Sequence, residues 1–292
     1  MKLGFLVLIH RYQEQASKLI ETLIKNDVQL FIHVDLKSEE TYNFLYRKYN
    51  SNSKIIFTKR YKVYWGSFNQ IKATLELITT AVAKSKCSYY SLISGQDFPI
   101  KKITEFASFL EQHKGQEFLS HFKLPNTANW GENGGLERLY YYWIDILSQR
   151  HSYKYNKLNA LIHKLQDITG IKRKLNYNFY GGPNWFTLSH EALQYVCEYV
   201  KDNPKYLQRF KYTSTADEIF IQTILLNSAF ADKITNDDLR YINWATGPEY
   251  PKILRDEDYT LLTNAPSKFF GRKFDCQIDN TIIEKLQQKI ND

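Results

Sequence analysis

Two short apolar runs, Leu3–Ile9 and Val28–Val34, flank a segment in which Ala16, Leu19, Ile20 and Leu23 recur at helical spacing, and this order constrains the chain more than any other feature. Parallel strands need a crossover of roughly a dozen residues, usually a helix, so the opening reads as a βαβ unit. The pattern continues. Residues 54–57 form a third apolar run, and Ile71, Leu75, Ile78 and Val82 mark one helical face over residues 67–84, with Ser67 as its N-cap. Residues 88–93 read as a strand ending in Ser94-Gly95-Gln96-Asp97, and Pro99 closes that loop before a helix over 104–113. Such an order builds an open α/β sheet, whose ligands lie outside the carboxyl ends of its strands.

The middle of the chain differs. Residues 140–182 hold seven Lys/Arg against two Asp, with His151, His163 and many Tyr interleaved and no clean strand pattern. Pro and Gly are scarce until Gly181-Gly182-Pro183, so the stretch reads as an insertion rather than a linker. Beyond it, residues 184–188 read as a strand, and 191–200 and 215–227 as helices. With 292 residues, 43% of them hydrophobic and 15% aromatic, one large globular domain is expected and a disordered or fibrous chain is excluded.

The first apolar run is broken by Gly4 and followed at once by His10 and Arg11, so it reads as a buried strand, neither spanning a bilayer nor forming a signal peptide. Cys87, Cys197 and Cys276 lie far apart with no CxxC, as expected of reduced thiols in a cytoplasmic protein. A formal net charge of +8 favours phosphates, nucleic acid or an acidic membrane face as partners, and charge alone does not choose among them.

GxSxG, GxxxxGK[ST], GxGxxG and HExxH motifs are all missing. What remains is polar residues at strand ends: His10, then His33-Val34-Asp35-Leu36-Lys37, then Ser94-Gly95-Gln96-Asp97. Three ends in one half of a parallel sheet converge on one crevice, where Asp35 and Asp97 can accept from a ribose or base. The alternative for each is a turn residue binding nearby backbone amides.

Seven strings occur in a fixed order: His33-Val34-Asp35-Leu36-Lys37-Ser38, Trp65-Gly66-Ser67, residues 90–100, Gly182-Pro183-Asn184-Trp185-Phe186, Asp217-Glu218, Leu239-Arg240 to Asn243-Trp244, and Phe270-Gly271-Arg272-Lys273-Phe274. Together they resemble the core-2/I-branching β-1,6-N-acetylglucosaminyltransferases and the related peptide O-xylosyltransferases, from Phe5 to about residue 279. The resemblance implies a GT-A-like nucleotide-sugar-binding fold, α/β with a central, mostly parallel sheet flanked by helices. It would form a single domain over 1–292, with a nucleotide-binding half (1–120), a basic aromatic insertion (121–182) and a catalytic and acceptor half (183–292).

The same resemblance implies an inverting transferase that uses a UDP-sugar donor and needs no metal or other cofactor. Glu218 would be the general base, on a late helix. Arg272 and Lys273 would bind the donor diphosphate, Ile9, His10 and Asp35 would face the uridine with Asp97 near them, and Asn184, Trp185 and Trp244 would lie beside the sugars. The family's additional diphosphate-binding Arg has no clear match in residues 249–255, where Lys252 is its candidate replacement. GlcNAc is the favoured donor sugar and xylose the alternative. A glycan or lipid-linked glycan of a bacterial surface polysaccharide is the expected acceptor, with peripheral contact at the inner face of an anionic membrane.

Chemistry supports the assignment independently. A sugar hydroxyl is a weak nucleophile and needs a carboxylate to take its proton, while a bidentate Arg and a neighbouring Lys can neutralise a departing diphosphate. Structural alternatives stand beside each role. Thr215-Ala216-Asp217-Glu218 spells a capping box, Asp217 and Glu137 are rival carboxylates, and Trp185 and Trp244 are candidates for the core. Asp256-Glu257-Asp258 spells DxD but reads better as a helix N-terminus. Two functions of other classes are a nucleic-acid-binding protein using the basic middle and a catalytically dead glycan-binding module.

Overall fold

The structure, a computed structural model that describes residues 1–144 and 153–291, is organised around a seven-stranded sheet. The early apolar runs form β1 (Leu3–Ile9), β2 (Val28–Val34), β3 (Ile55–Phe57) and β4 (Tyr89–Ser94), all parallel, with β1 between β4 and β2. Helices α1 (Gln13–Ile24), α2 (Glu39–Tyr49) and α3 (Phe68–Lys84) supply the crossovers. Ser67 does occupy the N-cap position of α3, but its hydroxyl accepts from Tyr64 N (3.3 Å) rather than capping the helix.

The chain then runs through β5 (Asp97–Pro99), α4 (Ile103–Gln112), β6 (Glu117–Leu119), β7 (Phe122–Lys123), α5 (Thr127–Trp130) and α6 (Glu137–Tyr140). The basic middle carries α7 (Tyr153–Thr169) and β8 (Tyr180–Gly181), which pairs with β7. His151 lies outside the described residues. Next come β9 (Phe186–Ser189), α8 (His190–Asp202), α9 (Pro204–Phe210), α10 (Phe220–Leu226), β10 (Ile234–Thr235) and β11 (Arg240–Ile242). Last are α11 (Tyr259–Asn264), β12 (Phe270–Arg272) and α12 (Thr281–Asn291).

Strand β9 enters antiparallel between β4 and β6, so the two halves of the chain share one sheet, ordered β10-β6-β9-β4-β1-β2-β3. A second, three-stranded sheet, β11-β12-β5, ties the C-terminal segment to the loop after β4. The period-2 alternation of β1 divides the core between the two faces. Leu3, Phe5, Val7 and Ile9 pack with the apolar sides of α1 and α12, while Leu6 joins Ile71 and Leu77 of α3 and Leu193 and Val196 of α8.

One expected element changes. Residues 215–227 do not form a single helix: Thr215 takes a left-handed conformation (φ 48°), Ala216–Glu218 is a 3-10 turn, and α10 begins only at Phe220. The Thr215 side chain makes no capping hydrogen bond, so the capping box read from the sequence does not form. Competing partners explain the break: Asp217 accepts from Gln70 Nε2 (2.6 Å) and the Glu218 carbonyl from Gly182 N (2.9 Å), and both draw the segment off a helical path.

Gly4 marks how tightly β1 is packed. A Cβ at this position would lie 2.6 Å from Tyr90 Cε1 and closer still to Cδ1. The ring cannot retreat, because its hydroxyl bonds Ser85 O (3.0 Å), Cys87 N (3.1 Å) and His190 Nδ1 (3.2 Å). Gly4→Ala is therefore expected to lose about 1–3 kcal/mol by overpacking, read as a lower midpoint in urea; an unchanged midpoint would show that the ring yields.

Candidate active site

The carboxyl ends of β1, β2 and β4 are held together up to the crevice that they open: Asp35 N donates to Ile9 O (2.8 Å) and Gly95 N to Leu8 O (2.9 Å). The Ile9 side chain is buried in the core, so only its backbone reaches the crevice floor. His10 follows it at the crevice mouth, part of its surface in solvent and its imidazole largely enclosed. Desolvation, then Arg11, Arg272 and Lys273, push its imidazole down to about 4 against the opposing pull of Asp35, which leaves it neutral at pH 7. Asp35 is buried, and its Oδ1 accepts from Lys37 N (2.9 Å) and Val63 N (3.4 Å). The turn role is thus present, and Oδ2 lies 3.4 Å from Lys37 Nζ.

The cations in this crevice come from far along the chain. Antiparallel pairing of β12 with β5 sets Arg272 opposite Asp97. Arg272 Nη1 donates to Asp97 Oδ1 and Ser94 Oγ, both at 2.7 Å, and Asp97 Oδ2 accepts from Ser94 N at 2.7 Å. Asp97 is 0% exposed. In this structure Asp97 therefore holds the Arg272 guanidinium, a role that the sequence did not suggest. Lys273 makes no ion pair among the described residues. Burial, Arg11 and Arg272 hold its ammonium pKa below the ordinary value, against Asp275 and Glu249. Arg11 completes the group, donating to Gln96 Oε1 (3.1 Å) and lying 4.0 Å from Asp275. Three cations meeting here favour an anionic ligand, and the forked guanidinia suit phosphate.

Glu218 lies at the end of its 3-10 turn, with Oε2 accepting from Arg138 Nη1 (2.9 Å). Burial raises its pKa above the ordinary carboxylate value, and Arg138 pulls it back down. Arg138 is itself steadied by the Trp130 ring, 3.9 Å from guanidinium carbon to centroid. The rival carboxylate Asp217 is more enclosed and is committed to Gln70 Nε2 (2.6 Å) and Asn184 Nδ2 (3.3 Å). Glu137 sits beside Arg138 on α6, and one of its carboxylate oxygens is buried.

One peptide connects the two groups. Gly182 N donates to Glu218 O, Asn184 reaches Asp217, and the Trp185 ring carries the Arg272 guanidinium at 4.4 Å and that of Arg240 at 5.5 Å. Arg240 is buried and donates to Asp238 O (2.7 Å) and to the Leu92 carbonyl. A side chain on Gly182 would strike the Ser120 carbonyl, so the peptide can follow this path only with glycine there. Trp244 is not drawn in: it stands 60% exposed after β11, which also removes the core reading for it.

Two other expectations meet definite partners. Lys252 is engaged by Asp258 (2.7 Å) and Glu257 (3.4 Å), so as a stand-in for the additional diphosphate-binding Arg it is already paired. Asp256–Asp258 forms a 3-10 turn opening α11, with Asp258 accepting from Arg255 N (3.0 Å) and Asp256 paired with Lys285 (2.7 Å), in accord with the helix N-terminus read from the sequence. Among the described residues, no group of three or more His, Cys, Asp and Glu is arranged to hold a metal ion.

The family model of the Core-2/I-Branching enzyme matches residues 3–263. The chain belongs to that family. It is 22% identical to Xylosyltransferase 1 of Homo sapiens over 306 residues, covering 98% of this chain and 30% of the relative. It is also 22% identical to Xylosyltransferase oxt of Drosophila melanogaster over 315 residues, covering 99% and 33% respectively. This family member thus spans about a third of the length of the curated relatives it matches. Among solved structures, a putative glucose-1-phosphate thymidylyltransferase from Bacillus anthracis aligns with 73% of this chain and 85% of its own at 11% identity, with a TM-score of 0.33, too low to carry an argument.

Sequence reasoning missed Arg11, Arg138 and Arg240 as members of this site. Arg11 had a signal, since it directly follows a strand end. Arg240 stood in one of the ordered strings with no role read for it and Arg138 had no signal, because their roles depend on contacts with residues 148 and 80 positions away. The Arg138–Glu218 pair is testable without any substrate. Arg138 stabilises the carboxylate anion, so in Arg138→Gln the Glu218 pKa should rise, and a carbon-13 carboxyl NMR titration should place its midpoint at higher pH than in the wild type. A midpoint that stays put or falls would show that the pair is not formed in solution.

Proposed function

We propose that this chain transfers a sugar, with inversion, from a UDP donor to a hydroxyl of a glycan acceptor, without a divalent metal. The observation that carries the reading is the 182–185 peptide, which bonds the backbone of Glu218 at one end and carries the Arg272 guanidinium on Trp185 at the other. Glu218 would remove the acceptor proton as the acceptor oxygen bonds the anomeric carbon. The bond from that carbon to the UDP oxygen breaks on the opposite face. Charge growing on the departing diphosphate would be met by Lys273, Arg272 and Arg11, positioned before the reaction begins. Burial that raises the Glu218 pKa makes it a better proton acceptor, and Arg138 opposes that rise by stabilising the carboxylate.

On the donor sugar, the names of the curated relatives bring xylose forward beside GlcNAc. Thermal shift with UDP-xylose, UDP-GlcNAc, UDP-GalNAc and UDP-glucose separates them, since the true donor should raise the melting midpoint furthest at equal concentration.

Lys273 is the right residue for testing the diphosphate contact. Replacing Arg272 would strand the buried Asp97 charge and destabilise the fold itself, whereas Lys273 has no such dependant. Lys273→Ala should keep the wild-type melting midpoint and weaken UDP binding by roughly tenfold or more, measured by calorimetry in EDTA. Equal affinity would refute the Lys273 contact with the diphosphate, and UDP binding that disappears with EDTA would refute the metal-free reading and bring Asp256 and Asp258 back as metal ligands.

Glu218→Gln keeps an oxygen for Arg138 but cannot take a proton. It is expected to bind UDP normally and to release UDP from the donor about 10²–10⁴ times more slowly. Near wild-type turnover would transfer the role to another carboxylate, with Glu137 the next to test.

A further inference from the structure

Helix α7 faces the wrong way for a helix that is packed on one side and wetted on the other. At about 100° per residue, Leu161, Leu165 and Ile168 share one stripe, and Asn159 and Gln166 share the opposite one. The polar pair is inside. Asn159 and Gln166 are 2% and 7% exposed, and their amides bond the backbones of Ile144 (3.1 Å) and Tyr142 (2.8 Å). The aliphatic stripe is outside, with Leu161, Leu165 and Ile168 exposed at 57%, 51% and 71%. Ile171 and Leu175, just past the end of the helix, are exposed as well, so that five of the eight exposed Leu and Ile among the described residues fall within 161–175. Scattered exposed apolar residues are ordinary, whereas a contiguous run marks a contact surface.

Charge selects the occupant. Lys157, Lys164, Lys172 and Lys174 are exposed around this stripe. The one carboxylate within 156–175 is Asp167, which is already paired with Lys172 (2.9 Å). A second copy of the chain would set these lysines against their like. Nucleic acid would gain nothing from an aliphatic ridge. A bilayer with anionic headgroups satisfies both features at once.

We propose that α7 lies in the surface plane of an anionic membrane, with Leu161, Leu165 and Ile168 entering the boundary of the acyl chains and Lys164 and Lys174 meeting the headgroups. No helix among the described residues is long and apolar enough to cross a membrane, so α7 rests on the bilayer rather than spanning it. Arg173 joins this surface to the candidate site, donating from Nη2 to Arg138 O (3.1 Å) and from its backbone N to Tyr140 O (2.8 Å). Seating α7 on lipid would therefore set Arg138 and Glu218 at a fixed height above the headgroups, suited to a lipid-linked acceptor. The membrane contact rests on the α7 surface alone and stands or falls apart from the transferase reading.

The test is co-sedimentation of the full chain with vesicles of phosphatidylcholine alone and of phosphatidylcholine mixed equally with phosphatidylglycerol. Binding to the mixed vesicles only, weakening as salt is raised, is expected. The triple variant Leu161→Gln, Leu165→Gln, Ile168→Gln should lose at least about tenfold in partitioning. Lys164→Gln and Lys174→Gln should each lose about fivefold. Because all five positions are exposed, melting midpoints should hold. Should the triple variant misfold, quenching of Leu165→Trp fluorescence by brominated mixed vesicles gives the same answer, and no quenching would overturn the proposal. Equal binding to both vesicle types, binding to neither, or full binding by a folded triple variant would also overturn it. So would self-association that the triple variant abolishes without any vesicle binding, which would assign the face to a second copy.

Discussion

A buried carboxylate must find a cation or be neutralised, and Asp97 finds Arg272 175 positions away. Leaving such a charge unpaired costs several kcal/mol, so this one requirement fixes where the C-terminal segment returns to the molecule. Further bonds secure the return: Phe274 N donates to Gln96 O (2.9 Å), Gln96 Nε2 to Phe274 O (3.1 Å), and Cys276 N to Gln15 Oε1 (2.8 Å). Once β12 is locked beside β5, Lys273 has no choice but to enter the crevice. The cation cluster follows from a constraint of the fold.

The second organising element is the segment running from Gly182 to Trp185. It is short, and it touches Ser120, Glu218, Asp217, Arg272 and Arg240 in turn. Stacking on Trp185 restrains two guanidinia that would otherwise repel each other, and the indole face attracts both. Distance between the carboxylate and the cations is thereby set by backbone geometry.

The charge pattern of the molecule is consistent from crevice to surface. Arg11, Arg272 and Lys273 gather around His10, while the lysines flanking α7 present the same sign outward. One field suits both a nucleotide diphosphate and an acidic bilayer. This is how a formal charge of +8, uninformative as a total, becomes two separate surfaces with different chemistry.

The sequence by itself determined the parallel strands β1 to β4 and the crossover helices α1 and α3, because hydrophobic periodicity is a local property and a strand buried on both faces is apolar throughout. It also placed Glu218, Arg272 and Lys273 as candidates through ordered strings that need no coordinates to be read. Tertiary structure alone decided what each of them touches. Residues 215–227 have the composition of one helix, yet Gln70, Asn184 and Gly182 pull the first turn away from it, and those three lie on other elements. Asp97 looked like a ligand contact and became the anchor of Arg272, since register between β5 and β12 is set by the packing of both sheets. The aliphatic stripe of α7 went unread in the sequence, where the stretch showed only as basic and aromatic, and which side of the helix faces the protein is not a property of spacing. That side depended on Asn159 and Gln166 finding backbone partners at Ile144 and Tyr142, which only the folded chain brings within reach.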